Sequence, residues 1–172
     1  PPILGGAKPE PSRPHRVAGT ESGGGGGAGQ VGGMESEAGP AVTPILVDHN
    51  IEGQAILLWG TLAAEGWLAV LPMPLLRFAD VGLPPDASDR EVWRLAQARG
   101  IVLRTANRSM REPDSLEQTI REENTASSLP VITVASPERL DEKPYREACA
   151  VRLVEIVLDL ENYRGAGPVY IP

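Results

Sequence analysis

Cysteine is nearly missing from this chain: Cys149 is the one thiol in 172 residues. A lone cysteine excludes an internal disulfide, and its place in a strongly apolar helical stretch reads as a buried side chain rather than a reactive thiol. Histidine is nearly as scarce, with only His15 and His49, so a structural zinc site built from Cys and His is not expected. No run approaches the ~18 to 20 apolar residues that cross a bilayer, and no basic-then-apolar signal opens the sequence. A soluble, cytoplasmic protein without membrane partners is the expectation. Positive charge is also short: the formal net charge is −7. An overall basic footprint of the kind that marks a dedicated nucleic-acid binder is therefore lacking, and any nucleic-acid role must rest on a local patch.

Glycine and proline are abundant but segregated. Residues 1 to 40 hold 12 of the 19 glycines and 6 of the 17 prolines, including the unbroken run Gly23 to Gly27, with almost nothing large and apolar to bury. Ordering that backbone costs roughly 1 to 2 kcal/mol per residue with no core contacts to offset it, so residues 1–43 read as a disordered lead. Met34-Glu35-Ser36-Glu37 looks like an ordinary start, which makes residues 1–33 an upstream extension; a flexible natural linker is the alternative. The glycine run follows no strand and lacks a P-loop lysine, so it is no phosphate cradle. Residues 44–172 remain, enough for one domain with a single core. The lead carries a net −1 (Lys8, Arg13 and Arg16 against Glu10, Glu21, Glu35 and Glu37), leaving −6 on that domain.

Periodicity in the domain alternates between strand and helix. Pro44 to Val47 reads as a strand and Glu52 to Glu65 as a helix whose inner face carries Ala55, Leu58, Trp59, Leu62 and Ala63, closed by Gly66. Trp67 to Leu71 reads as a second strand, and the prolines at 72, 74, 84 and 85 predict a loop around Phe78 to Leu83. Ser88-Asp89-Arg90-Glu91 has the spacing of a capping box ahead of the next helix, which Gly100 ends. Ile101 to Arg104 follows as a strand, a charged helix runs from a cap at Asp114-Ser115 to about Asn124, and Leu129 to Ala135 is a strand rich in β-branched residues. Pro144 opens the longest helix, through Leu160. Gly165 and Gly167 then release the chain into a short edge strand, Val169 to Ile171. This order predicts an α/β fold, a mainly parallel sheet of about four to five strands covered on both faces.

Two strand tips carry polar residues: Asp48-His49-Asn50 after the first strand, and Thr105-Ala106-Asn107-Arg108-Ser109 after Ile101 to Arg104. In open parallel sheets ligands collect beyond the carboxyl ends of strands. Taken in order, strand-Asp48-His49-Asn50-helix, then Ser88-Asp89-Arg90-Glu91 at a helix start, then Leu103-Arg104-Thr105-Ala106-Asn107-Arg108-Ser109 at a strand end resemble the short PIN-like nucleases. That family reads strand-D-E-N, S-D-x-E and strand-T-x-D-x-D over the corresponding stretch, here about Ile45 to Met110. The resemblance implies a three-layer α/β/α sandwich of Rossmann-like topology. It also implies acidic residues gathered at the carboxyl edge to hold Mg²⁺ or Mn²⁺ for RNA cleavage, as in the toxin half of toxin–antitoxin pairs. Position by position, Asp48 and Asp89 match the first two acidic residues and metal ligands, and Asn50 the accompanying amide. Asn107 and Ser109 stand where the family has aspartates, and His49 replaces its glutamate. Thr105 and Arg108 support the site.

The substitutions have a physical cost. Two carboxylates plus waters and phosphate satisfy the minimum for Mg²⁺, but exchanging a directly ligating Asp for Asn107 deletes about 4 kcal/mol of attraction at ~4 Å and an effective dielectric of about 20. Asp114 or Glu117 folding back could supply the missing acid. Each residue also has a plainer role: Asp48 as a helix cap with Asn50, Asp89 as a charge at a helix N-terminus, Asn107 as a turn residue, and His49 as a solvated turn residue. Arg77, Arg104, Arg108 and Arg111 form a candidate basic rim for RNA phosphate. Three function classes follow: an active PIN-like ribonuclease, a catalytically silent PIN-like domain that binds RNA or an antitoxin-like protein, and an assembly module in which Trp59, Trp67, Trp93 and the last helix build a homodimer face.

Overall fold

The computed structural model describes residues 41–106 and 114–172; residues 1–40, which make up most of the expected lead, and residues 107–113 lie outside it. Five strands, β1 (Ile45–Val47), β2 (Leu75–Leu76), β3 (Val102–Thr105), β4 (Val131–Val134) and β5 (Pro168–Ile171), form one sheet in the order β2-β1-β3-β4-β5. Every pairing is parallel. Six α-helices accompany them: α1 (Glu52–Ala64), α2 (Trp67–Val70), α3 (Phe78–Val81), α4 (Asp89–Arg99), α5 (Leu116–Glu123) and α6 (Lys143–Leu158). The fold is the expected α/β/α sandwich.

Alternation along the strands decides which side chain meets which layer, because successive residues point to opposite faces. Ile45, Val102 and Ile132 join Leu58 and Leu62 of α1 and Cys149, Leu153 and Ile156 of α6 in one core. Leu46, Leu103 and Val131 join Phe78, Val92, Trp93, Ala96 and Leu116 in a second core on the opposite face. β1, β3 and β4 are buried along their whole length, as a parallel sheet covered on both sides requires.

Three readings need correction. Trp67 to Leu71 is not a strand: Gly66, at φ 81°, turns the chain and α2 follows, closed by the Leu71 N–H on the Trp67 carbonyl at 2.8 Å. A short apolar run has no period to separate strand from buried helix. The second strand comes later, at Leu75–Leu76, beside the prolines that suggested a loop. Pro72 and Pro74 take part in pairing through their carbonyls, which accept from Thr43 N–H at 3.0 Å and Ile45 N–H at 2.9 Å. An edge strand tolerates proline because it hydrogen-bonds on one side only. Phe78–Val81 is likewise a helical turn, started by Asp80, whose carboxylate accepts the Arg77 N–H at 2.8 Å.

Elsewhere the local signals hold. The Ser88–Glu91 capping box forms, with Ser88 N–H on the Glu91 carboxylate at 2.9 Å and Glu91 N–H on Ser88 Oγ at 3.3 Å. α5 is capped by Ser115, whose Oγ accepts from Gln118 N–H at 3.3 Å. Trp59 and Trp93 are 8% and 5% exposed, so they build the cores and cannot form the dimer face expected of them. No helix among the described residues is long and apolar enough to cross a membrane.

Gly165 shows where backbone geometry admits no side chain. Its φ is 72°, and a Cβ there would lie 3.0 Å from Ala126 Cα and 3.1 Å from the Thr125 carbonyl oxygen. Gly165→Ala should therefore lower unfolding free energy by about 2 kcal/mol or more, read as an earlier urea midpoint.

Candidate carboxylate cleft

Asp48 leaves β1 at the carboxyl edge, its N–H still donating to the Arg104 carbonyl of β3 at 3.0 Å. The next residues, His49–Ile51, form one 3₁₀ turn for which Asp48 is the N-cap. Its Oδ1 accepts from the backbone N–H of Asn50 at 3.1 Å and from Asn50 Nδ2 at 3.2 Å, while Oδ2 accepts from Thr105 Oγ1 at 2.9 Å. Asn50 and Thr105 thus fix the carboxylate from two sides. Thr105 can do so because it shares the face of Leu103 and Leu46, the face onto which Asp48 also projects.

Asp89 is the first residue of α4, and its Oδ2 accepts the Leu116 N–H of α5 at 3.0 Å. The bond ties the starts of two helices together. Asp48 and Asp89 line one small cleft, with Thr105 beside them and Phe78, Val92, Leu103 and Leu116 as apolar lining. Burial in that lining raises the Asp89 pKa above the usual carboxylate value, the Leu116 N–H partly offsets this, and the charge of Asp48 raises it further. Two carboxylates facing one poorly solvated space behave this way.

The sign of the shift gives a pH prediction. A raised pKa means the fold prefers neutral Asp89, so its charged form subtracts from stability once the pH exceeds the raised value. That loss is recovered as the pH falls through it. Asp89→Asn keeps an acceptor for Leu116 and removes the charge; it should shift the urea midpoint upward at pH 7 without divalent metal, and the gap from wild type should close on acidification below the ordinary carboxylate range.

Other sequence candidates sit elsewhere. His49 is exposed and pairs through Nδ1 with Glu52 at 3.1 Å. Asp114 and Glu117 do not fold back to the cleft: Asp114 binds Arg90 at 2.9 Å and Glu117 binds Arg121 at 2.9 Å. Arg90 also holds Glu122 and Glu123 of α5, which makes it the clamp between α4 and α5. Arg104 cannot belong to a basic rim at the cleft, because β3 turns it to the opposite face, where it is 0% exposed. Arg77 stays exposed, 3.9 Å from Glu52. Asn107, Arg108, Ser109 and Arg111 fall outside the described residues.

Sequence reasoning missed the Leu116 bond to Asp89, the Arg90 clamp and the burial of Arg104. Strand parity carries a signal for the last: if Thr105 faces Asp48, residue 104 must face away. As for cation binding, Asp48 and Asp89 supply two carboxylates, the minimum for a hard divalent ion that keeps waters. Among the described residues no group of three or more His, Cys, Asp or Glu gathers as a metal cage. No family model, curated protein or solved structure matches the chain.

Proposed function

We propose that the chain is a PIN-like, Mg²⁺- or Mn²⁺-dependent ribonuclease acting on single-stranded RNA, of the kind found in toxin–antitoxin pairs. The observation that carries this reading is the meeting of Asp48 and Asp89, far apart in sequence, in one cleft at the carboxyl edge of a parallel sheet. A bound dication would supply activation of the attacking water and stabilisation of the charge that develops on the phosphate. The chain's own residues do the rest. Asn50 and Thr105 hold the Asp48 carboxylate in one orientation, Leu116 N–H holds Asp89, and the apolar lining lowers the local dielectric so that each charge acts more strongly. A neighbouring cation also opposes the burial and the Asp48 charge that raise the Asp89 pKa. The test is a Mn²⁺ titration of wild type and Asp48→Asn on labelled single-stranded RNA, with calorimetry for metal binding; absence of both heat and cleavage in wild type defeats the reading.

A second reading is a catalytically silent PIN-like domain that binds RNA or a protein partner through the same cleft. It is favoured by the protein donors that already engage both carboxylates and by Asn107 and Ser109 where the family has acids. On that reading Asn107→Asp should create metal-dependent cleavage in a chain that otherwise has none. An inactive Asn107→Asp variant that still binds Mn²⁺ no better than wild type would remove it.

A further inference from the structure

Most of the described arginines meet a partner, and one does not. Among the described arginines, Arg90, Arg94, Arg121, Arg139, Arg152 and Arg164 each meet a carboxylate within 3.0 Å. Arg99 donates to the Val81 carbonyl at 3.0 Å, and Arg146 to the Leu140 carbonyl at 2.6 Å and Thr61 Oγ1 at 2.9 Å. Arg104 is the reverse case. Its side chain is fully buried, and Nε, Nη1 and Nη2 have no hydrogen-bond partner among the described residues.

Its position follows from the sheet. Arg104 lies in register with Val47 on one side and Ile132 on the other, on the central strand β3. It shares the face of Val102, the face covered by α1 and α6. Cys149 of α6 is its electrostatic neighbour there, and the thiol is pushed up to about 11 by burial, so it is neutral and no counter-anion. A guanidinium offers five donors in a planar fork, shaped for two oxygens of one anion, and leaving them unmet in an apolar layer is strongly unfavourable.

We infer that Arg104 is the recognition group of a second, internal site for a small oxyanion, phosphate or carboxylate, on the face of the sheet opposite the Asp48–Asp89 cleft. The site uses neither cleft carboxylate and needs no dication. Phosphate and carboxylate share the bidentate geometry that the fork matches, and they differ in charge, so the two can be separated by experiment.

The full chain, wild type and Arg104→Met, is equilibrated with inorganic phosphate, acetate or chloride at one ionic strength and then melted. Phosphate or acetate should raise the wild-type Tm by about 5 °C over chloride, and Arg104→Met should show no such rise. The larger of the two shifts identifies the anion class. Arg104→Lys, which keeps charge but loses the fork, should retain only part of the effect. Should Arg104→Met fail to fold, the Arg104 Nε–H resonance of the wild type decides: it should move on addition of the stabilising anion. No anion-specific rise in wild type, an equal rise in Arg104→Met, or an unmoved Nε–H resonance would each overturn the inference.

Discussion

On the proposed ribonuclease reading, Asp48→Asn should abolish Mn²⁺-stimulated RNA cleavage while leaving the fold intact. A carboxylate ~4 Å from a cation contributes on the order of 4 kcal/mol per unit of cation charge at an effective dielectric of about 20, so its loss from a dication site costs at least roughly a thousandfold in metal affinity. With two carboxylates lining the cleft, removing one leaves a single charge to hold the ion. The fold should tolerate the change because asparagine keeps one oxygen for the Asn50 N–H, and the Thr105 hydroxyl, which now donates to Oδ2 at 2.9 Å, can rotate to accept from the new amide. The measurement is cleavage of labelled RNA against Mn²⁺ concentration, with a melting curve beside it. Equal cleavage by wild type and variant would remove Asp48 from the chemistry; loss of both cleavage and Tm would assign it to structure.

Leu153→Ala should cost about 2 to 5 kcal/mol of unfolding free energy, among the largest single losses the chain can show. Leu153 is 0% exposed on α6 and belongs to the core that joins α1, α6 and the sheet. Truncation there removes buried methyl groups and opens a space that rigid neighbours on three elements can fill only in part. Leu158, on the same helix but 66% exposed, is the internal control: Leu158→Ala should stay within about 0.5 kcal/mol. Urea unfolding at one pH reads both. A small effect at Leu153 would mean that α6 packs less firmly than its buried face implies.

Much of this architecture is legible from local chemistry. Ser88 and Glu91 announce a helix start three residues apart, and the same two groups make the reciprocal bonds of the cap. Gly66 and Gly100 end helices at positive φ, as residues without a Cβ readily do. The order and spacing of Asp48 and Asp89 resemble a paired acidic site, and both residues line the same cleft. What escaped was decided by distant contacts. Trp67 to Leu71 has the composition of a strand, but whether it pairs depends on which segment lies next to β1, and Leu75–Leu76 takes that place. Arg104 reads locally as a cation at a strand tip; its direction is set by the pairing register of β3 with β1 and β4, which no single segment encodes. The Leu116 N–H on Asp89 depends on α5 docking against α4, a docking secured by Arg90 and the acids of α5.

The open margins of the sheet carry one more consequence. β2 is two residues long and follows Pro72 and Pro74, while β5 begins at Pro168 and is followed by Pro172. Each outer strand is thus short and flanked by residues that cannot donate a backbone N–H. Strand-by-strand extension into a neighbouring molecule, the route by which exposed β margins seed fibrils, is interrupted at both ends of the ladder. Exchanging Pro168 for a residue with a backbone N–H should therefore make fibril formation easier, read as faster thioflavin fluorescence growth than wild type.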